Sequence, residues 1–453
     1  MNPWWMGALC VVSICVLAAA WGEPLQVEVK AEDSVYTYVP PNNGSGPLWS
    51  YGCTQIARLG DEVFVSEMET GEGVPPLSNT RWRLLHRTES GWRMVAEADG
   101  YHQREPCPLA VLSKSDLFLN VNDSTQSAGT KYGPCEPKLL KFHVNDMDKG
   151  LQPLVSGSFP RETILPSWDG QPYYTDHSYR GFAADRSRGQ LLMLNIDAKT
   201  SIQHACLLSS EGKTLANASV TFPIRACYPQ AALGKGAAYV LAIGDIVEPI
   251  KEWREYKFEQ TKREWDYVFR ILYFTWSPEI EKQGFAAPIE IANVDKTAGY
   301  ISNQDLWISP DGEAYIMYTE CEVQGALLRD KFFAGKSLIP SLHLAVVKDG
   351  AIASRRTLIA GTEAVQPGCA RFHVAENGTV YAVLYVSGPE AGNKLMRIYP
   401  PIDNPPLIPI PLKKPISGYC LASVRAGNAP SDLIDIHGPT EGNTMAYAQV
   451  IIK

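Results

Sequence analysis

The chain has 453 residues, a formal net charge of −8, 45% hydrophobic and 20% charged residues, and 36 Gly and 33 Pro scattered along its length. That balance excludes a disordered or coiled-coil chain, and the acidic total with no basic run on a helical pattern excludes an electrostatic nucleic-acid binder. The length is too great for one ordinary core, yet no composition break separates unrelated domains, so a single large repeat architecture is expected.

Residues 6–20 are apolar and end in Ala18, Ala19 and Ala20, which predicts a secretory signal over 1–22 and places the remaining 23–453 in one exported domain, secreted or periplasmic. Residues 1–5 contain no Lys or Arg, so an uncleaved anchor is the alternative. No later stretch reaches the ~18 apolar residues needed to span a bilayer. Cys10 and Cys15 fall in the leader, leaving Cys53, Cys107, Cys135, Cys206, Cys227, Cys321, Cys369 and Cys420. An even number in an exported chain permits disulfides, for example Cys53 with Cys420. The bland alternative for the cysteines near strand starts is a small apolar residue at a crowded hub. Sequons stand at Asn43, Asn122, Asn217 and Asn377.

Beyond the leader a short unit recurs seven times: a strand, a tight polar turn and an alternating apolar strand. In chain order the copies are residues 50–67 (SYGCTQIARLGDEVFVSE), 105–120 (EPCPLAVLSKSDLFLN), 177–195 (HSYRGFAADRSRGQLLMLN), 225–243 (RACYPQAALGKGAAYVLAI), 299–320 (GYISNQDLWISPDGEAYIMYTE), 366–386 (QPGCARFHVAENGTVYAVLYV) and the least regular, 418–450. Further strand pairs lie between copies, as at 82–95 (WRLLHRTESGWRMV) and 342–357 (LHLAVVKDGAIASRRT). Four short strands per unit cannot bury both faces alone, but units stacked radially can, and a closed ring leaves few open edges. The sequence therefore predicts an all-β, seven-bladed β-propeller with four antiparallel strands per blade. The charged interval 251–266 (KEWREYKFEQTKREWD) is an insertion, either a short helix or a long hairpin.

In such a ring the starts of the innermost strands converge on one face. Those positions supply Tyr51, His102, Arg104, His177, Tyr179, Arg180, Arg225, Tyr228, Asn303, Gln304, Arg371 and Tyr419. The set is rich in Tyr, Arg and His and poor in acids, which predicts a locally positive pocket for a carboxylate or sulfate. Asp176-His177 with Tyr179 and Arg180 is the densest polar cluster, and Arg225 with Tyr228 stands one blade on. A His, a Tyr and an Arg meeting over an anionic sugar suit β-elimination of a uronate: one of His177 or Tyr228 takes the C5 proton, the other protonates the leaving oxygen, and Arg225 or Arg180 holds the carboxylate. Tyr179, His102, Arg104 and Arg371 complete the expected substrate-binding set.

The His177 segment, the Tyr228-Pro229 segment and the turn SPDGEAY at 309–315 resemble the BNR-type, sialidase-like propellers, a group that includes ulvan lyases and related polysaccharide lyases. The resemblance covers roughly residues 166–386. It implies His177 as catalytic histidine and Tyr228 as catalytic tyrosine, in a polysaccharide lyase acting on an acidic polysaccharide or oligosaccharide. The ulvan lyases end the strand after the tyrosine with a neutralising Arg, whereas residues 239–245 here read YVLAIGD. Two alternatives stand beside the lyase: a non-catalytic glycan- or protein-binding propeller, and a sialidase- or rhamnosidase-like hydrolase, for which complete sialidase boxes are missing. A monomer is expected, without nucleic-acid partner and without cofactor. No ligand spacing identifies a metal, although some propeller lyases hold a structural ion.

Overall fold

The computed structural model describes residues 25–50, 52–127, 133–144, 161–177 and 179–453. The expected leader over 1–22 and Tyr51 lie outside the described residues. Seven four-stranded antiparallel sheets form a β-propeller. Each predicted copy supplies the two strands nearest the axis of one blade. The innermost strands are Ile56–Leu59, Leu109–Val111, Gly181–Asp185, Ala226–Gly234, Tyr300–Ile308, Gln366–Val374 and Cys420–Leu421, and neighbouring ones pack against one another around the axis.

The second strands read as continuous apolar runs because both their faces are covered. Gln190–Ile196 and Ala237–Gly244 are buried at every residue. Adjacent blades interlock through them: Leu241 and Phe274 of the fourth blade pack with Leu306 and Ile316 of the fifth. Each such side chain contributes about 1.5–3 kcal/mol by leaving water. The turn Asp311-Gly312 forms as predicted, with Gly312 at φ +85°, where a side chain would be strained.

The seventh blade is irregular in sequence because its strands are not contiguous. Cys420–Leu421, Leu433–Pro439 and Thr444–Ile452 supply three, and Val27–Thr37 pairs with Thr444–Ile452 as the outer fourth. Joining the two ends of the ring removes an open edge. Residues 423–428 of this blade then cross the axis. Val111 N–H donates to Ala426 O at 2.8 Å, Ala184 N–H to Arg425 O at 2.8 Å, and Arg58 N–H to Asn428 Oδ1 at 2.8 Å. The approach is so close that a Cβ on Gly427 would lie 1.8 Å from Val111 O. This plug meets the downstream halves of the innermost strands, so their starts form a funnel on the opposite face.

Since the second strand of every blade returns to the face where the first begins, connections to the third strand share the funnel face. The insertion resolves as helix α1 (Lys251–Thr261) in that connection of the fourth blade. Helix α2 (Ala326–Phe332) occupies the equivalent connection of the fifth. Trp253 of α1 packs edge-on to Phe333, 5.3 Å between ring centroids. Buried Glu248 takes Arg270 through both oxygens, at 3.0 and 2.5 Å, and Lys257 at 2.9 Å, anchoring the insertion. Among the described residues no helix is long and apolar enough to cross a membrane.

The disulfide expectation is corrected: all eight described cysteines are free thiols. Cys53 donates to Arg180 O at 3.4 Å and Cys420 to His437 O at 3.6 Å, so the two face different carbonyls rather than one another. Burial pushes the Cys107 and Cys206 thiols up to about 11, disfavouring the reactive thiolate. Peptide mapping after native maleimide treatment is expected to find Cys53, Cys107, Cys206, Cys227 and Cys420 unmodified, and modified only after unfolding. A Cys53–Cys420 cross-linked peptide would contradict this arrangement. Of the sequons, Asn43 and Asn122 are buried and Asn217 and Asn377 exposed.

Candidate functional site

Two innermost strands place the site. In the fourth blade a bulge between Cys227 and Gln230 interrupts pairing with the second strand and holds Tyr228 at φ +52°. Tyr179, just before the third blade's innermost strand, sits at φ +46°. Two bulky residues in this conformation, side by side, are backbone outliers of the kind that gathers at functional sites. Their rings meet edge-on at 4.7 Å between centroids. The His177 ring lies 4.0 Å from Tyr179, and the Arg225 guanidinium is 5.1 Å over the same ring. Trp49 and Phe269 flank Tyr228 at 6.2 and 5.8 Å. Tyr179 and Tyr228 line a tight hollow of about 10 Å³ with Trp49, Glu105 and Arg180.

The carboxylate facing the imidazole is Glu105, whose Oε1 is hydrogen-bonded to His177 Nδ1. The sequence neighbour Asp176 instead accepts the His177 backbone N–H at 3.1 Å. Burial pulls the Glu105 carboxyl upward, but His177, Arg180 and Arg104 outweigh it and hold it below the usual carboxylate range. Asp176 goes the other way, raised by burial, and its buried Oδ2 has no hydrogen-bond partner among the described residues. Burial, aided by Cys227 and Asp245, pushes the Tyr179 phenol well up, so it stays protonated.

Of the predicted residues, the structure brings His177, Tyr179, Arg225 and Tyr228 together. Arg180 adjoins them, but its guanidinium is buried and occupied by Asn120 O at 2.9 Å, Pro106 O at 3.0 Å and Glu105 O at 3.2 Å. It braces the second blade against the third and has no donor pair left for a substrate carboxylate. Arg104 is buried, donates to Asn43 O at 3.2 Å, and leaves Nη1 without a partner among the described residues. Arg371, in the sixth blade, donates to Gln304 O and Ala370 O. His102 is solvent-exposed. The expected acid-poor, positive pocket is therefore corrected: Glu105 and Asp245 sit opposite His177 and Arg225.

Asp245 directly follows the second strand of the fourth blade, where the resemblance led to an expected Arg. Its Oδ2 accepts from Arg225 Nη1 at 3.0 Å, so the guanidinium reaches this spot from the neighbouring strand start. Arg225 keeps 28% of its side chain exposed and also lies 5.7 Å from the ring of Tyr267. Sequence reasoning missed Glu105, Asp245, Trp49 and Tyr267. Glu105 opens the second copy of the repeat, a position equivalent to those already singled out. Among the described residues no group of three or more His, Cys, Asp or Glu could hold a metal ion.

No family model matches the chain, so the BNR-type resemblance has no support from that comparison. No curated protein is similar to it. Among solved structures it is similar to an ulvan lyase bound to -[GlcA(1-4)Rha3S]-, with 10% identity, a TM-score of 0.53, and coverage of 92% of this chain and 95% of that one. It is also similar to a second structure of an ulvan lyase, at 11% identity, TM-score 0.51 and the same coverage. At such identities the likeness shows a shared fold, the seven-bladed propeller.

Proposed function

We propose that this protein is a secreted or periplasmic carbohydrate-active propeller that cleaves a uronate-containing polysaccharide by β-elimination. The observation that carries this reading is the convergence of the Glu105-bonded His177, Tyr228 and the partly exposed Arg225 around Tyr179 on the funnel face. An ionised Glu105 can only accept, so Nδ1 of His177 bears the proton and Nε2 presents its lone pair. That nitrogen takes the C5 proton of the uronate. The C–H electron pair forms the C4–C5 double bond as the C4–O bond breaks, and the Tyr228 hydroxyl gives its proton to the leaving oxygen. Arg225 neutralises the carboxylate conjugated to the developing carbanion. The ulvan-lyase neighbours support this reading by analogy of fold.

A second reading, a non-catalytic glycan-binding propeller, is favoured by Asp245, which pairs with Arg225 and competes with a substrate carboxylate for it. Incubation with ulvan, glycosaminoglycans and pectin separates the two. Elimination is expected to raise the ultraviolet absorbance of the C4–C5 unsaturated product on at least one polymer. A flat trace accompanied by measurable binding supports the second reading.

A further inference from the structure

On the funnel face, beside the cluster around Tyr179, the fourth-blade insertion carries an aromatic pair with no role in the fold's core. Trp265 is 65% exposed and Tyr267 is 36% exposed. Their rings lie nearly parallel, 6.4 Å between centroids at 17°. Tyr267 also faces Arg225, so one ring belongs both to the candidate site and to the pair. Trp265 and Tyr267 line a groove of about 270 Å³ that runs between the end of α1 and the start of α2, with Lys257, Arg263, Gln324 and Leu328 among its walls.

An exposed indole with a second ring stacked beside it offers a flat apolar face to a ligand. The apolar C–H face of a sugar ring is a suitable cover, since it stacks flat on an aromatic ring while its hydroxyls turn to polar neighbours. The polar neighbours here include a cation. Arg263 is exposed and makes no ion pair among the described residues, whereas Lys257 is held by Glu248 at 2.9 Å and Asp266 at 2.7 Å. A free guanidinium beside a stacking platform suits a carboxylate or sulfate on the same chain of sugars.

We propose that the Trp265–Tyr267 groove binds further sugar residues of an acidic polysaccharide whose reacting uronate lies at Arg225, making the protein selective for long chains over short ones. The inference rests on the β-elimination reading for the identity of that uronate. The groove's own role can be tested without turnover. In a His177→Ala background, isothermal titration with hexasaccharides and disaccharides of ulvan, chondroitin and polygalacturonate is compared with and without Trp265→Ala. The expected result is a hexasaccharide affinity lowered about tenfold and a disaccharide affinity changed less than about twofold. Trp265→Phe is expected to recover most of the loss, because the platform matters rather than the indole N–H.

Equal hexasaccharide affinity with and without Trp265→Ala overturns the groove assignment, and so does failure of all three hexasaccharides to bind. Either result leaves the elimination chemistry standing if the protein with His177 intact yields unsaturated product. Conversely, binding that depends on Trp265 with no unsaturated product from any polymer upholds the groove and overturns the lyase.

Discussion

His177→Ala is expected to lower the elimination rate about 10²–10⁴-fold, the range for removing one general acid or base. The ring is pinned by its bond to Glu105 and its contact with Tyr179. His177 itself keeps partial exposure, with 18% of its side chain accessible, so truncation creates no sealed cavity. Truncation does, however, strand the buried Glu105 carboxylate, so a lowered melting temperature is expected beside the lost rate, and activity is compared at temperatures where the variant stays folded. Full activity in the variant would refute the assignment. Glu105→Gln tests the support beneath it: the amide cannot match a carboxylate as acceptor for Nδ1–H, so kcat is expected to fall with little change in KM. The sign of the pH effect follows from the depressed Glu105 carboxyl. Its stabilising contribution is complete above the ordinary value of 4.5 and is lost as pH falls through the lower folded value.

Arg425→Ala is expected to cost about 3–5 kcal/mol of stability, measured by urea unfolding, because it strands a buried carboxylate. The guanidinium donates to Ala231 O at 2.8 Å, Gly52 O at 2.7 Å and Asp305 Oδ1 at 2.5 Å, and Asp305 also accepts Phe372 N–H at 2.8 Å. Arg425 and Asp305 are 6% and 2% exposed. One side chain thus ties the plug to the first, fourth and fifth blades, and through Asp305 to the sixth. Asp305→Asn together with Arg425→Ala should cost less than the sum of the two single changes, since each alone leaves the other group unsatisfied. A loss below about 1 kcal/mol for Arg425→Ala would show that the plug is held by its backbone bonds instead.

Periodicity alone was enough to identify the propeller. A strand, a polar turn and an apolar strand repeated seven times can bury both faces only by radial stacking, and 225–243 (RACYPQAALGKGAAYVLAI) already carries that pattern in its own residues. The strand starts at His177, Arg225 and Tyr228 were legible for the same reason, as fixed positions in a repeat. What the linear order concealed were partners that depend on blade-to-blade geometry. Glu105 lies 72 positions before His177, yet it, not adjacent Asp176, meets the imidazole, because neighbouring strand starts converge while Asp176 turns to a backbone amide. Asp245 meets Arg225 because an antiparallel second strand ends where the first begins. The closure by Val27–Thr37, the plug at 423–428 and the occupation of Arg180 by three carbonyls were likewise decided only in three dimensions. A repeat dictates which residues sit at equivalent heights. Which charges neutralise one another is settled by packing, since most buried donors and acceptors pair with whatever the ring brings within reach.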